Sequence, residues 1–186
     1  MQDKEVYLLL TDTGTWLTRL IKLYTKKPFN HASIAFDEQL KQVYSFGRKT
    51  PKNPFIGGFV QEDIKGGIFK QATGVVYSIS ITEDQWKKMQ NYIQQLQAEK
   101  DHYRYNFIGL FGFLLKRPIK RKNAFFCSQF VAAILQESNV IQFNKPISLI
   151  SPYDLQTTES FQFVYEGKLQ EFSSQTNDRL QVADYA

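Results

Sequence analysis

The chain holds a single cysteine, and its setting suits a nucleophile. Cys127 stands in Phe125-Phe126-Cys127-Ser128-Gln129-Phe130, at the first turn of an apolar segment that reads as a buried helix to about Gln136. At a helix start the backbone N–H groups lack intrahelical partners and the dipole is positive. Both features favour a thiolate, the form of cysteine that attacks carbonyl carbon. The competing reading of a lone cysteine is a small buried hydrophobe. A thiol nucleophile also needs a base, and His31 is the natural one, because it opens the alternating segment His31-Ala32-Ser33-Ile34-Ala35-Phe36. A Cys–His pair requires adjacency in space and not in sequence. Against this stands a hydrogen-bonded histidine in a half-buried strand. The other histidine, His102, lies in Lys100-Asp101-His102-Tyr103-Arg104 and reads as a surface residue.

Two kinds of element must bring these residues together. Val6 to Thr11 reads as a buried strand closed by an Asp12-Thr13-Gly14 turn, and Thr15 to Tyr24 as an amphipathic helix ended by Lys26-Lys27-Pro28. His31 to Phe36 and Gln42 to Phe46 form a strand pair about a turn at Asp37 to Gln39. Gly74 to Ile81 is another strand, and Thr82 with Gln85 makes a capping box for a helix reaching about Glu99. Ser151-Pro152 followed by Asp154 signals a further helix start, and Phe161 to Phe172 alternates as a final strand or hairpin. The segment Gly47 to Gly67, rich in Gly, Pro and Asn, reads as a long functional loop. Residues 1–172 form one domain, and the polar residues 173–186 a C-terminal tail.

The bulk properties narrow the class. With 186 residues, 42% hydrophobic and 22% charged, the chain is long and apolar enough for one ordinary core and does not resemble a disordered protein. One cysteine excludes an intrachain disulfide, and with only two histidines a structural zinc site of the usual Cys/His kind is almost excluded. The N-terminus lacks a basic leader, and no stretch approaches the roughly 18 apolar residues of a membrane span, so a cytoplasmic location is expected. The formal charge of +5 favours acidic surroundings. Lys116, Arg117, Lys120, Arg121 and Lys122 crowd into seven residues before the cysteine. Such runs are usually solvated loops, but this one could contact an anionic lipid or a cell-wall polymer. A basic nucleic-acid binder is the alternative outside enzymology. No reader motif supports it, so no specific nucleic acid is expected.

The order of His31 on a strand, a return strand Val43-Tyr44-Ser45-Phe46-Gly47 and, much later, Phe126-Cys127-Ser128-Gln129 resembles the circularly permuted, YiiX/YaeF-like branch of the papain-like NlpC superfamily, related to lecithin–retinol acyltransferase. The resemblance covers roughly Val6 to Leu155. It implies an α+β fold in which an antiparallel sheet packs against a buried nucleophile helix. It also implies hydrolysis or transfer at amide or ester bonds through a thioester, with Cys127 attacking and His31 moving the proton, a scheme in which no metal or cofactor is expected. The leading expectation is a peptidase or amidase acting on small or cell-wall-derived peptides. An acyl esterase or acyltransferase using the same site is the alternative, and an inactive binding domain the second. In such relatives a polar residue on the return strand orients the histidine; the equivalent here is Ser45, with Glu62 and Asp63 as rivals. A tyrosine upstream of the cysteine commonly assists the oxyanion, a role that falls to Tyr105, with Tyr103 second. Glu62, Asp63 and Tyr103 are also expected to line the substrate site. Each has a plainer reading, the acids as a solvated turn and the tyrosines as packing residues with wet hydroxyls.

Overall fold

In the computed structural model, which describes residues 3–14, 19, 22–23, 25–48, 57–106 and 123–172, the first strand is the centre of the protein. Among the described residues the elements are β1 (Lys4–Asp12), β2 (His31–Ala35), β3 (Val43–Arg48), β4 (Gly57–Glu62), β5 (Thr73–Ile81), α1 (Glu83–Ala98), β6 (Arg104–Tyr105), β7 (Ala124–Phe125), α2 (Cys127–Glu137), α3 (Pro152–Gln156) and β8 (Gln162–Lys168). Six strands form one sheet in the order β4-β3-β2-β1-β5-β8, with every neighbouring pair antiparallel. β6 and β7 make a small parallel pair beside it. The class is α+β, an antiparallel sheet with few helices, as the sequence leads one to expect.

Because β1 is covered on both faces, Val6 to Leu10 is a continuous apolar run rather than an alternating one. Successive side chains still go to opposite sides of the sheet. Val6, Leu8 and Leu10 join Ala32, Ile34, Phe46 and Phe59 against α1 (Met89, Ile93, Leu96) and α2 (Phe130, Ile134, Leu135). Tyr7 and Leu9 join Ala35, Val43 and Val76 on the other side, where Leu40, Ile64, Phe69, Leu169 and Phe172 make a smaller cluster. α1 begins at the expected capping box: the Gln85 amide donates to the Thr82 hydroxyl, and the Thr82 amide to the Gln85 side chain. α2 is apolar nearly all round, with Cys127 through Leu135 buried, because it lies between the sheet, α1 and α3.

Two sequence expectations change. The segment Gly47 to Gly67 is not one irregular loop, since Gly57–Glu62 is β4, the edge strand paired with β3 along its whole length. Its glycines hide the pattern, but Phe59 is buried and stacks on Tyr44, which gives the strand an inward face. The second change is at the C-terminal end, where Phe161 to Phe172 yields the single strand β8 and then a helical turn over 169–172. Of the expected helix from Thr15 to Tyr24, Arg19, Lys22 and Leu23 are helical, as is Thr25 beyond it. The rest of that helix lies outside the described residues, as do the basic run Lys116 to Lys122 and the tail. Among the described residues, no helix is long and apolar enough to cross a membrane.

Candidate active site

Strand parity places His31, Ser33, Ser45 and Glu62 on the smaller-cluster side of the sheet, on three adjacent strands. Glu62 is the last residue of β4, and its side chain lies back along the sheet. A Cβ built on Gly47 would stand 3.3 Å from the Ser45 hydroxyl oxygen and 3.7 Å from Glu62 Oε1, so the glycine leaves room for the Ser45 hydroxyl beside the carboxylate. Three donors converge on it. His31 Nε2 lies 2.7 Å from Oε1, the Ser45 hydroxyl donates to the same oxygen at 2.5 Å, and the Ser33 hydroxyl donates to Oε2 at 2.5 Å. The Glu62 side chain is 5% exposed, so the carboxylate is effectively out of water. Burial pushes its pKa up, but the His31 charge, its hydrogen bond and the two serine hydroxyls outweigh burial and hold it below the ordinary carboxylate value.

The imidazole sits between this carboxylate and the thiol. Burial pulls His31 down, yet the Glu62 charge and then the Cys127 sulfur overcome it and push the pKa up to about 10. The ring is therefore an imidazolium at neutral pH, donating from Nε2 to Glu62. Cys127 is the other side chain acting on the ring, and with Nε2 committed to the carboxylate, Nδ1 is the nitrogen left to face sulfur. The meeting occurs at the end of the sheet. α2 packs against the opposite face, but Cys127 is its first residue and His31 the first of β2, so the two termini reach each other around the strand end. The Asn30 carbonyl, just before β2, lies 4.0 Å from Cys127 Sγ. The buried Phe69 ring stands 6.0 Å from the imidazole, centre to centre, and covers it from the smaller cluster.

The start of α2 is electrostatically suited to an anion. Its N-cap is Phe126, which has no side-chain oxygen to satisfy the first amides, and its first turn carries no acidic residue. Behind it lies a buried polar pair, Asn106 donating to Gln129 at 3.5 Å.

Of the residues singled out in the sequence, the structure brings Cys127, His31, Glu62 and Ser45 together. Their roles differ from expectation in two places. Ser45 does not hydrogen-bond the imidazole but donates to Glu62, one step removed. Glu62, the rival candidate for the orienting group, is not a solvated turn residue. As a buried strand residue it bonds His31 directly, because β4 exists where the sequence suggests a loop. Asp63 lies beyond the strand end, exposed, with its carboxylate accepting from the Lys65 amide at 2.9 Å, a turn contact. Tyr103 packs against Phe46 and Phe125, and burial followed by the nearby Glu99 raises its pKa. Tyr105 belongs to β6, where it pairs with Phe125 and closes over the backbone of Gly57. The residue missed is Ser33, and strand parity two positions after His31 was the signal for it. Among the described residues, no group of three or more His, Cys, Asp or Glu side chains is arranged to hold a metal ion. No protein-family model, no curated protein and no solved structure matches the chain.

Proposed function

We propose that this chain is a cysteine hydrolase that cleaves amide bonds through a thioester, on a permuted papain-like core. The observation that carries the reading is the His31 imidazole held between the Glu62 carboxylate and the Cys127 thiol. Nucleophile, base and orienting group are the three parts that thiol acyl transfer requires, and they come from three separate elements. The proton of the Cys127 thiol resides on His31 in the attacking state, so Cys127 Sγ meets the carbonyl carbon as the thiolate of a Cys127–His31 pair. The resulting oxyanion faces the uncapped amides at the start of α2, the Cys127 N–H first among them. The imidazolium then protonates the departing amine, leaving a Cys127 thioester. His31, neutral after giving that proton away, next deprotonates a water that attacks the thioester; collapse releases the acid product and the thiolate, and the proton stays on His31, which restores the starting pair.

Amide cleavage is favoured over ester cleavage because an amine leaves only when protonated, and Glu62 keeps a proton on His31. Glu62 also fixes which ring nitrogen faces sulfur, a task for which a neutral serine alone would be a weaker partner. Small peptides are the proposed substrate class.

The test is the pH dependence of iodoacetamide alkylation of Cys127 in the wild type and in His31→Ala, followed by turnover of small peptide amides. A thiol that reacts well below its ordinary pH range, and loses that reactivity with His31, is the expected result. A thiol indifferent to His31 would sink the enzyme reading.

A further inference from the structure

Glu62 has more hydrogen-bond donors than a histidine-orienting carboxylate needs. The single bond to His31 Nε2 would set the ring tautomer, yet two serine hydroxyls also close on the carboxylate, one on each oxygen, at 2.5 Å. Both serines are fully buried, and each comes from a different strand beside β4 or beyond it. A buried carboxylate with one partner would either turn away or take the proton from its histidine and become neutral. Two short hydroxyl donors oppose both events, since their bonds are charge-assisted and stronger to the ionised form, and a proton on either oxygen would compete with one of them. Ser33 fixes Oε2 from the strand that carries His31. Ser45 shares Oε1 with the imidazole, so the oxygen that meets the ring is the one pinned in place.

We propose that Ser33 and Ser45 are positioning residues, a two-hydroxyl cradle that keeps Glu62 charged and aimed at His31, and that they set the acid limit below which the Glu62–His31 pair dissolves. The geometry of the cradle stands by itself; its consequence for turnover rests on the cysteine-hydrolase reading above. The groups that face the pair are few among the described residues. Cys127 comes from α2, Thr11 of β1 lies opposite His31 and does not titrate, and Phe69 covers the ring. Besides Glu62 itself, Cys127 is the one titratable group acting on His31. His31 is the one acting on Glu62. The acid limb of the pair therefore reports Glu62.

The chain has only two histidines, which makes the experiment direct. The ring resonances of His31 are followed by NMR from pH 4 to pH 8 in the full chain, with His102 as an internal reference, for the wild type and for Ser33→Ala/Ser45→Ala. In the wild type His31 holds one charged-pair shift across this range. In the double variant an inflection enters from the acid side, displaced upward by about one pH unit per hydroxyl removed. Global acid unfolding would also collapse the dispersion of the backbone amide resonances and is separated on that basis. Ser33→Thr/Ser45→Thr, which keeps both hydroxyls, restores the flat profile. If the double variant does not fold, each single alanine variant is expected to show about half the displacement. A His31 profile in the alanine variants that stays as flat as the wild type overturns the proposal. Turnover separates the two readings. A displaced limb with an unreactive Cys127 would leave the cradle standing and remove the hydrolase, whereas a reactive Cys127 with an unmoved limb would do the reverse.

Discussion

The two sides of the central sheet are built to opposite specifications. On one side α1 and α2 cover an apolar cluster in which Leu8, Leu10, Ile34, Phe46 and Phe130 are fully buried. On the other, a smaller cluster shares its space with His31, Ser33, Ser45 and Glu62. The same strands supply both, since alternate residues of β2 and β3 go to opposite faces. The helix side stabilises through area removed from water, a non-directional effect of about 25 cal/mol per Å². The site side spends stability on a buried ion pair whose desolvation works against its attraction. One face anchors the sheet against its helices, and the other carries charge.

The comparison is broken most completely by removing sulfur. Cys127→Ala takes away the nucleophile while leaving a residue that suits a buried helix start, so the fold should be kept. Turnover of a peptide amide is expected to fall by roughly 10⁴-fold or more, with a thermal midpoint within a few degrees of the wild type. A variant that retained turnover would show that the chemistry lies elsewhere. The mirror experiment is Phe130→Ala on the helix side. Phe130 is fully buried and meets the rings of Phe46 and Phe59 at 5.4 Å and 5.8 Å, so truncation leaves a cavity between α2 and the sheet. Its cost should be about 3–5 kcal/mol in urea unfolding. Cys127 alkylation in the folded fraction should change far less.

The ion pair should give the site face a pH signature that the helix face lacks. His31 has its folded pKa raised to about 10, so its contribution to stability is complete below its unfolded value near 6.5 and is lost as pH climbs toward 10. Glu62 has its folded pKa lowered, so its contribution is present above the ordinary value of 4.5 and is lost as pH falls through the depressed one. Between roughly pH 4.5 and 6.5 both contributions are whole. Urea unfolding of the wild type should therefore be most stable in that window and weaken on both sides. Glu62→Gln should flatten the curve and lower it by about 3 kcal/mol at its maximum, because it leaves an uncompensated imidazole among two serines. An unchanged curve in that variant would mean that the pair has no energetic coupling.

How much of this was visible beforehand follows the same division. The helix face was legible almost throughout, because long apolar periodicity and a capping box are local signals: β1, α1 and α2 fall within a few residues of where Val6, Thr82 and Cys127 place them. Cys127 and His31 were legible as chemical types. Their meeting was not, since it depends on two element termini converging around a sheet end. Glu62 shows the limit most clearly. In Gly57-Gly58-Phe59-Val60-Gln61-Glu62 the glycines mimic a loop, and strand character arises from pairing with β3, a contact at a distance in sequence. Once β4 is missed, Glu62 looks solvated and Ser45 inherits its place beside the histidine. Ser33 was within reach, as the next residue after His31 on the same face.

The smallest expected effect sharpens the comparison from its quiet end. The Thr82 hydroxyl accepts from the Gln85 amide at 3.3 Å, and the Gln85 side chain returns a bond to the Thr82 amide and reaches the Asn139 carbonyl just past α2 at 2.7 Å. Thr82→Ala should cost about 1 kcal/mol by leaving one helix-start amide without its partner. The cap lies between β5 and α1, on the far side of the sheet from the Glu62 carboxylate, and the loss should pass through α1 packing alone. Its signature is a lower urea midpoint with an unchanged slope, an unmoved His31 titration and a wild-type alkylation rate for Cys127. If alkylation slows in this variant, the placement of α2 against β2 depends on the α1 cap, and the helix face takes part in the chemistry instead of merely supporting it.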